Sequence, residues 1–213
     1  MNQYLLFTCP DCNLAAKTKG LRSVIVTCTA CGAVLANETS LDIPKMAMPD
    51  DWSIIQIGAT GTHNKKGFEV VGRVRMQMRK EYKNYWCLWF PVDMKNAWLV
   101  ESLGFYAICT DTFFEIDQLE LVKKIRANTS FQVSDKTSVT IDEVDFCEIL
   151  SFSGEINTWS YGNRFFVAQG KNGPIIAAFI HFSAQKDRVK FLAGEWVPVE
   201  SLQLKNINTT HVW

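Results

Sequence analysis

The sequence predicts a mainly β protein, in which a small N-terminal zinc ribbon precedes an antiparallel β-barrel-like or sandwich domain with two candidate halves. Three observations support this fold class. Four cysteines lie close together near the N-terminus, short stretches of alternating apolar and polar residues recur along the rest of the chain, and turn-forming residues separate these stretches. Aromatic and β-branched residues fill the stretches, which is typical of strands.

The paired cysteines predict a metal site. Cys9 and Cys12 form one C-x2-C pair, and Cys28 and Cys31 form a second pair after fifteen intervening residues. The two pairs can supply the four soft ligands that tetrahedral zinc accepts. Because cysteine occupies all four positions, none is left for a catalytic water, and the expected Zn²⁺ is structural. A redox dithiol pair and a rubredoxin-type iron site are the alternatives.

The residues around the cysteines are typical of tight metal-binding turns. Asn13 and Gly32 each follow the second cysteine of a pair, where a residue that tolerates positive φ is useful. We assign residues 1–39 to the ribbon and residues 40–50, which contain two prolines and no amphipathic period, to a linker. The ribbon is too short to bury a large core, so metal binding should supply part of its folding free energy.

The remaining chain, 51–213, is predicted to form the second domain, and its first candidate half is 51–128. In 68–78, apolar residues take the even positions, as in a strand with one buried face. The aromatic stretch 85–92 should pair with this strand as a hairpin. Two further strands, 97–101 and 105–110, should extend the sheet.

The second candidate half, 129–213, contains another set of short strands. Its clearest feature is a hairpin in which 165–169 faces 175–182 across a glycine-containing turn. Between the halves, 116–126 fits either a short helix or a strand. The other predicted strands are 131–133, 138–141, 146–152, 189–192 and 197–204.

A series of glycines, tryptophans and charged residues carries a family resemblance. The residues are Ile57, Gly58, Gly61, Gly67, Phe68, Val70, Gly72, Arg73, Trp86, Trp89, Trp98, Leu99, Glu101, Gly154, Glu155 and Trp159. In this respect 51–204 resembles an uncharacterised bacterial domain family, the domain of unknown function numbered four-one-seven-eight. The resemblance implies a bacterial protein in which a CxxC-type zinc ribbon precedes the domain, and it implies no catalytic residues.

Charge and hydropathy exclude two broad classes of protein. Lys plus Arg number 22 and Asp plus Glu also number 22, which excludes a bulk basic nucleic-acid binder. The apolar runs are far shorter than the roughly 18 to 20 residues that span a bilayer, so we expect no transmembrane segment. The first residues lack the basic and apolar regions of a secretory signal. We therefore expect a cytoplasmic protein.

A local basic cluster is the candidate polyanion-binding surface. Arg73, Arg75 and Arg79 share one face of the strand predicted at 68–78, and Lys65 and Lys66 precede it. Such a cluster could attract nucleic acid or an anionic membrane surface. The alternative is a solvated strand face whose arginines form ion pairs with neighbouring carboxylates.

The sequence contains no motif of a known catalytic class. Ser-nucleophile, zinc-protease and dinucleotide-binding patterns are absent, and Glu101, Glu155 and Glu195 occur singly at predicted strand ends. The sequence therefore favours a non-enzymatic zinc-binding interaction or scaffold protein whose partner is another protein. A zinc-ribbon protein that binds nucleic acid is the first alternative, and an enzyme of unrecognised class, in which the three glutamates converge, is the second.

Overall fold

The computed structural model describes residues 6–19, 23–36, 39–40, 53–114, 125–157, 159, 165–182 and 189–209. Within these ranges the chain forms antiparallel strands and one short 3-10 helix, Val199–Leu202, and contains no α-helix. The predicted mainly β, antiparallel fold class is confirmed. In the same ranges, no helix has the length and apolar character needed to cross a membrane.

The strands fall into two sets. The N-terminal set is β1 (Leu6–Thr8), β2 (Ala15–Lys17), β3 (Ile25–Thr27), β4 (Val34–Ala36) and β5 (Thr39–Ser40). The second set is β6 (Thr60–His63), β7 (Lys66–Gln77), β8 (Tyr82–Phe90), β9 (Lys95–Ser102), β10 (Phe105–Phe114), β11 (Ser130–Ser134), β12 (Thr137–Ile156), β13 (Phe165–Asn172), β14 (Ile175–Phe182) and β15 (Val189–Trp196).

Eight strands of the second set close into a ring. Strands β7 to β10 form one meander and β12 to β15 form another. The two meanders join where β12 pairs with β7 and where β15 pairs with β10. Residues 140–147 of β12 pair with β13, whereas residues 148–154 pair with β7. Because the ring is closed, each of its eight strands has a neighbouring strand along both edges, as in barrel architectures.

The two meanders begin with the same local structure. The Gly58 amide donates a hydrogen bond to the Val70 carbonyl at 2.8 Å, and the Asn128 amide donates one to the Ile141 carbonyl at 2.7 Å. Gly58 and Asn128 both have positive φ, at 84° and 68°. The strand register shifts directly after Val70 and directly after Ile141. The chain therefore enters both meanders through equivalent turns. The division of the domain into two halves stays a prediction.

The core of the ring receives side chains from all eight strands. Two further apolar clusters lie on the outside, one against each meander. Residues 53–59 and the 3-10 helix cover the first meander, whereas β11 covers the second. Representative interior residues are Val74, Tyr85, Trp98, Cys109, Phe152, Val167, Ile180 and Leu192.

The prediction that the even positions of β7 share one face is wrong, because the strand contains a β-bulge. The sequence places all even positions of 68–78 on one face, but the register shifts between Val70 and Gly72. Phe68 and Val70 therefore contact the outer cluster, whereas Val74 and Met76 lie inside the ring. A bulge adds one residue to one strand, which exchanges the two faces beyond it.

Other predicted elements differ in length or type. The strands at 138–141 and 146–152 are parts of the single strand β12. The predicted strand at 197–204 is wrong, because Pro198 leads into the 3-10 helix and Leu202 packs into the outer cluster. Most of the linker assigned to 40–50 lies outside the described residues, as does most of the 116–126 segment.

The ribbon strands are attached to the ring through the end of β12. Ile25 and Val26 of β3 pair with Ile156 and Glu155. The Val24 amide donates to the Ile156 carbonyl at 2.8 Å. Ile25 is fully buried and belongs to the same apolar cluster as the ring interior. The ribbon therefore contributes side chains to the core of the second domain.

The joint between β7 and β12 should be sensitive to a single methyl group. Gly154 has φ of 68°, and a Cβ there would lie 2.3 Å from the Val71 carbonyl oxygen. We expect Gly154→Ala to lower the free energy of unfolding by about 2 to 4 kcal/mol through steric overlap and backbone strain. Gly104→Ala is the matched control, because φ is 82° but no atom lies within 4 Å of the added Cβ. Urea unfolding that shows equal losses for both variants would contradict this role for the joint.

Candidate functional site

The four paired cysteines meet at one point of the ribbon. Their Sγ atoms all lie within 4.8 Å of one another. The Sγ atoms of Cys9 and Cys31 are 3.7 Å apart, and those of Cys12 and Cys28 are 3.6 Å apart. Four sulfurs at about 2.3 Å from a tetrahedral zinc would be separated by about 3.8 Å. The four thiols therefore have the spacing of a metal site, and none of them is joined in a disulfide.

Two equivalent turns hold the cysteines in place. The Asn13 amide donates to the Cys9 carbonyl at 2.8 Å, and the Gly32 amide donates to the Cys28 carbonyl at 2.9 Å. Asn13 and Gly32 have φ values of 60° and 74°, so the predicted need for positive φ at both positions is confirmed. Each turn points its two thiols toward the other turn, and this is how the C-x2-C spacing assembles one site from two segments.

Backbone groups also favour the ionised form of one thiol. The amides of Cys31 and Ala30 lower the pKa of Cys28 to about 6. Hydrogen bonds from backbone amides stabilise a thiolate, which is the form that binds metals. The pKa of Cys31, in the same turn, is raised, because the Ala33 amide that lowers it is outweighed by burial and by the neighbouring Cys28 and Cys9 thiols. The backbone therefore favours ionisation at Cys28 and not at both cysteines of the turn.

The three isolated cysteines are unlike these four. Cys87, Cys109 and Cys147 are buried in the ring, where burial raises the pKa of each thiol to about 12. A buried thiol with a raised pKa is a poor nucleophile and a poor metal ligand. These residues act as small apolar side chains of the core, as the sequence predicts.

The basic cluster predicted to bind polyanions does not form one continuous surface. Arg73 and Arg75 are 9% and 4% exposed, whereas the Arg79 side chain is 74% exposed and lies 3.6 Å from Asp145. Lys65 is exposed, and Lys66 pairs with Asp93 at 2.7 Å. The alternating sequence pattern places the arginines on the outer face of the ring, but residues 53–59 help to cover that face. Contact with a polyanion would therefore be limited to Arg79, Lys65 and Lys66.

Arg73 belongs to a buried polar network centred on Glu101. Its guanidinium donates to Asn84 Oδ1 at 2.7 and 3.1 Å and lies 4.7 Å from the Trp86 ring centroid. The Glu101 carboxylate accepts hydrogen bonds from Ser53, Asn84, Trp86 and Tyr106 at 2.8 to 3.1 Å. These donors satisfy a carboxylate that burial would otherwise destabilise. The network fastens residue 53 to the ring.

The three glutamates of the enzyme alternative have different surroundings. Glu101 is in the buried network, while Glu155 accepts a hydrogen bond from the Lys19 amide at 2.8 Å beside the ribbon. Glu195 is exposed on β15, opposite Ile108 and Ile175. Glu101 and Glu195 lie on the two strands that flank β10, but the Glu101 carboxylate is buried among its four donors whereas Glu195 is exposed. Glu155 lies at the pairing of β12 with the ribbon, so the structure does not bring the three carboxylates together in one site.

Sequence reasoning missed a charged pair inside the ring. Lys190 is fully buried, forms an ion pair with Asp111, and lies 4.8 and 5.1 Å from the ring centroids of Trp98 and Trp159. Burial lowers the pKa of Lys190 to about 8, although Asp111 acts in the opposite direction. Lysine at an even position of a strand that also places Leu192 inward was the signal available in the sequence.

No protein-family model, no curated protein and no solved structure matches the chain. The resemblance to the uncharacterised domain family is neither supported nor contradicted by this result, and it stays a prediction.

Removing the lysine of the buried pair should destabilise the protein. We expect Lys190→Met to lower the free energy of unfolding by about 3 to 5 kcal/mol, because Asp111 loses its counter-ion in a buried position. The double variant Lys190→Met/Asp111→Leu should recover most of this loss, since it removes both charges. Denaturant unfolding of Lys190→Met, Asp111→Leu and the double variant measures the coupling free energy between the two residues. Additive losses would show that the two residues do not interact.

Proposed function

We propose that this chain is a non-enzymatic, zinc-binding interaction protein in which a structural Zn²⁺ bound by Cys9, Cys12, Cys28 and Cys31 holds the ribbon against the ring. The observation that supports this most strongly is the Sγ spacing of 3.6 and 3.7 Å, close to the value of about 3.8 Å for tetrahedral zinc. Four thiolates favour zinc over hard cations such as Mg²⁺. All four ligands come from the protein, which suits a structural role.

The contacts between the ribbon and β12 explain what a structural metal would stabilise. Around the site, the ribbon core consists of little more than the cysteines, Ala33 and Leu35. Beyond it, β3 pairs with Glu155 and Ile156, and Thr27 donates to the Phe152 carbonyl at 3.3 Å. A metal that fixes the two turns would therefore also fix β3 on the end of β12.

A protein partner fits the exposed apolar side chains better than a polyanion fits the basic ones. Leu14 follows the first cysteine turn and is 43% exposed, and Val92 and Met94 are exposed in the turn after β8. Burial of exposed apolar side chains in an interface lowers the free energy of the complex. The nucleic-acid alternative is less well supported, because the burial of Arg73 and Arg75 removes two of its five candidate contacts.

Zinc content tests the metal assignment directly. We expect the purified protein to hold about one zinc ion per chain and Cys9→Ser/Cys28→Ser to lose it, because each turn then keeps only one thiolate. Cys147→Ala is the matched control, since this cysteine is buried away from the paired cysteines and should leave the zinc content unchanged. Elemental analysis that finds no zinc, or full zinc retention in the double variant, would refute the assignment.

Removal of the metal should release the ribbon locally. We expect a chelator to increase amide hydrogen exchange by about tenfold or more in 24–27 and 155–156, where the ribbon and β12 pair. The hairpin formed by β13 and β14 provides the internal control, because it does not pair with the ribbon. An unchanged exchange rate at 155–156 would show that the metal does not stabilise the end of β12. An equal increase in exchange in the β13–β14 hairpin would show that the metal stabilises the whole fold and not the ribbon contact alone.

A further inference from the structure

A cavity opens at the end of the ring that lies away from the ribbon. Its volume is about 480 Å³. It contacts β12 at Asp142 and Glu143, near the start of that strand, whereas the ribbon pairs with Glu155 and Ile156 at its end. Small-molecule sites typically have volumes of about 300 to 1,000 Å³. The cavity is therefore large enough for a small organic molecule and is separate from the metal site.

The floor of the cavity is mainly apolar. Tyr85, Val100, Cys109, Ile176 and Leu192 line it, and they come from five different strands of the ring. Most of them belong to the ring's interior cluster, so the cavity continues the core toward solvent. Transfer of an apolar group from water into this space is favourable by about 25 cal/mol for each Å² buried.

The rim of the cavity is charged, but its charges balance. Three lysines and three acidic residues line it, namely Lys80, Lys83, Lys171, Glu81, Asp142 and Glu143. Lys83 Nζ lies 2.9 Å from Glu81 and donates to Gln169 Oε1 at 2.6 Å. Gln169 also donates to Glu143, and Lys171 pairs with Asp142 at 3.4 Å.

These pairs discriminate against a ligand with a charged head. A carboxylate or an ammonium entering the cavity would lose its hydration and would compete with ion pairs that already exist. An uncharged hydroxyl or amide can exchange hydrogen bonds with Gln169 and Ser102 without separating charges. The rim is thus complementary to a polar group without net charge.

Exposed apolar side chains surround the same end of the ring. Leu103 and Phe105, in and beside the turn between β9 and β10, are 77% and 66% exposed. The Phe105 ring lies 6.0 Å from that of Trp196, which lines the cavity. Apolar groups concentrated at a cavity mouth are typical of sites that receive apolar ligands.

We propose that this cavity binds an uncharged amphiphile, with its apolar body against the floor and a hydrogen-bonding head at the rim. The inference extends the proposed binding function to a ligand class, and it does not depend on the metal. Zinc content, measured on each preparation, is a separate readout. A failed metal assignment can thus be distinguished from a failed ligand assignment.

The first test uses the full chain and an uncharged fluorescent probe, N-phenyl-1-naphthylamine. We expect saturable binding with increased probe fluorescence. Displacement by 1-decanol should require at least tenfold less competitor than displacement by decanoate or decylammonium, which have the same chain length and carry a charge. Absence of saturable binding, or displacement by a charged competitor at concentrations as low as those of the alcohol, would overturn the proposal.

Three variants locate the probe. Ala178→Phe should reduce affinity at least tenfold, because position 178 lines the cavity and the larger side chain fills it. Phe105→Ser should weaken binding about threefold, and because Phe105 is exposed, this substitution removes no buried side chain. Thr112→Phe adds an aromatic ring at an exposed position of β10 outside the cavity lining and should change nothing. Thermal unfolding verifies that each variant is folded. Unchanged affinity in both cavity variants would place the probe elsewhere and refute the site.

Discussion

Strand β12 connects the two meanders, the outer layer and the ribbon, because it pairs with four other strands. Its first part pairs with β11 and β13, its second part pairs with β7, and its last two residues pair with β3 of the ribbon. Because a single 20-residue strand pairs with all four, it closes the ring and also carries the ribbon. The close approach of Gly72 and Gly154 makes this geometry sterically feasible, since a Cβ at either position would overlap backbone atoms. Strand β12 also has one register shift against each of its two ring partners, between Ile141 and Glu143 against β13 and between Ile149 and Ser151 against β7. Such bulges bend a strand and increase its twist.

The closed ring buries charged side chains, which therefore need partners within the protein. Lys190 and Glu101 are both buried, and each has specific partners: Asp111 and two tryptophan rings for the lysine, four hydrogen-bond donors for the glutamate. Buried charges are tolerated when partners compensate for lost hydration, and removing one partner is costly. At the cavity rim the same principle operates beside solvent, where paired lysines and carboxylates leave little net charge. The proposed preference for an uncharged ligand follows from this arrangement.

Local sequence patterns predicted the two cysteine turns and most of the strands, because both depend on residues that are close in the sequence. The spacing of the cysteines and the positive φ at Asn13 and Gly32 specify the two turns, and period-two alternation finds most of the strands. Ring closure depends instead on pairing between β7 and β12, about 80 residues apart, which no local pattern encodes. The sequence pattern also does not show that Arg73 and Arg75 are buried. Their strand face has the alternation of a solvent-exposed face, but residues distant in sequence, such as 53–59, help to cover it. The bulge after Val70 reverses the faces of the strand, and hydrophobic alternation alone does not show it. Gly72, an isolated glycine within the strand pattern, was the signal available in the sequence.

We propose that one tetrahedral zinc site, made by four cysteines, holds the ribbon on the end of β12. X-ray absorption at the zinc edge of the purified protein tests this proposal, because it reports the metal, the ligand atoms and the bond lengths together. We expect a single shell of four sulfur ligands at about 2.3 Å. Nitrogen or oxygen ligands in that shell, an iron edge in place of zinc, or no bound metal would contradict it.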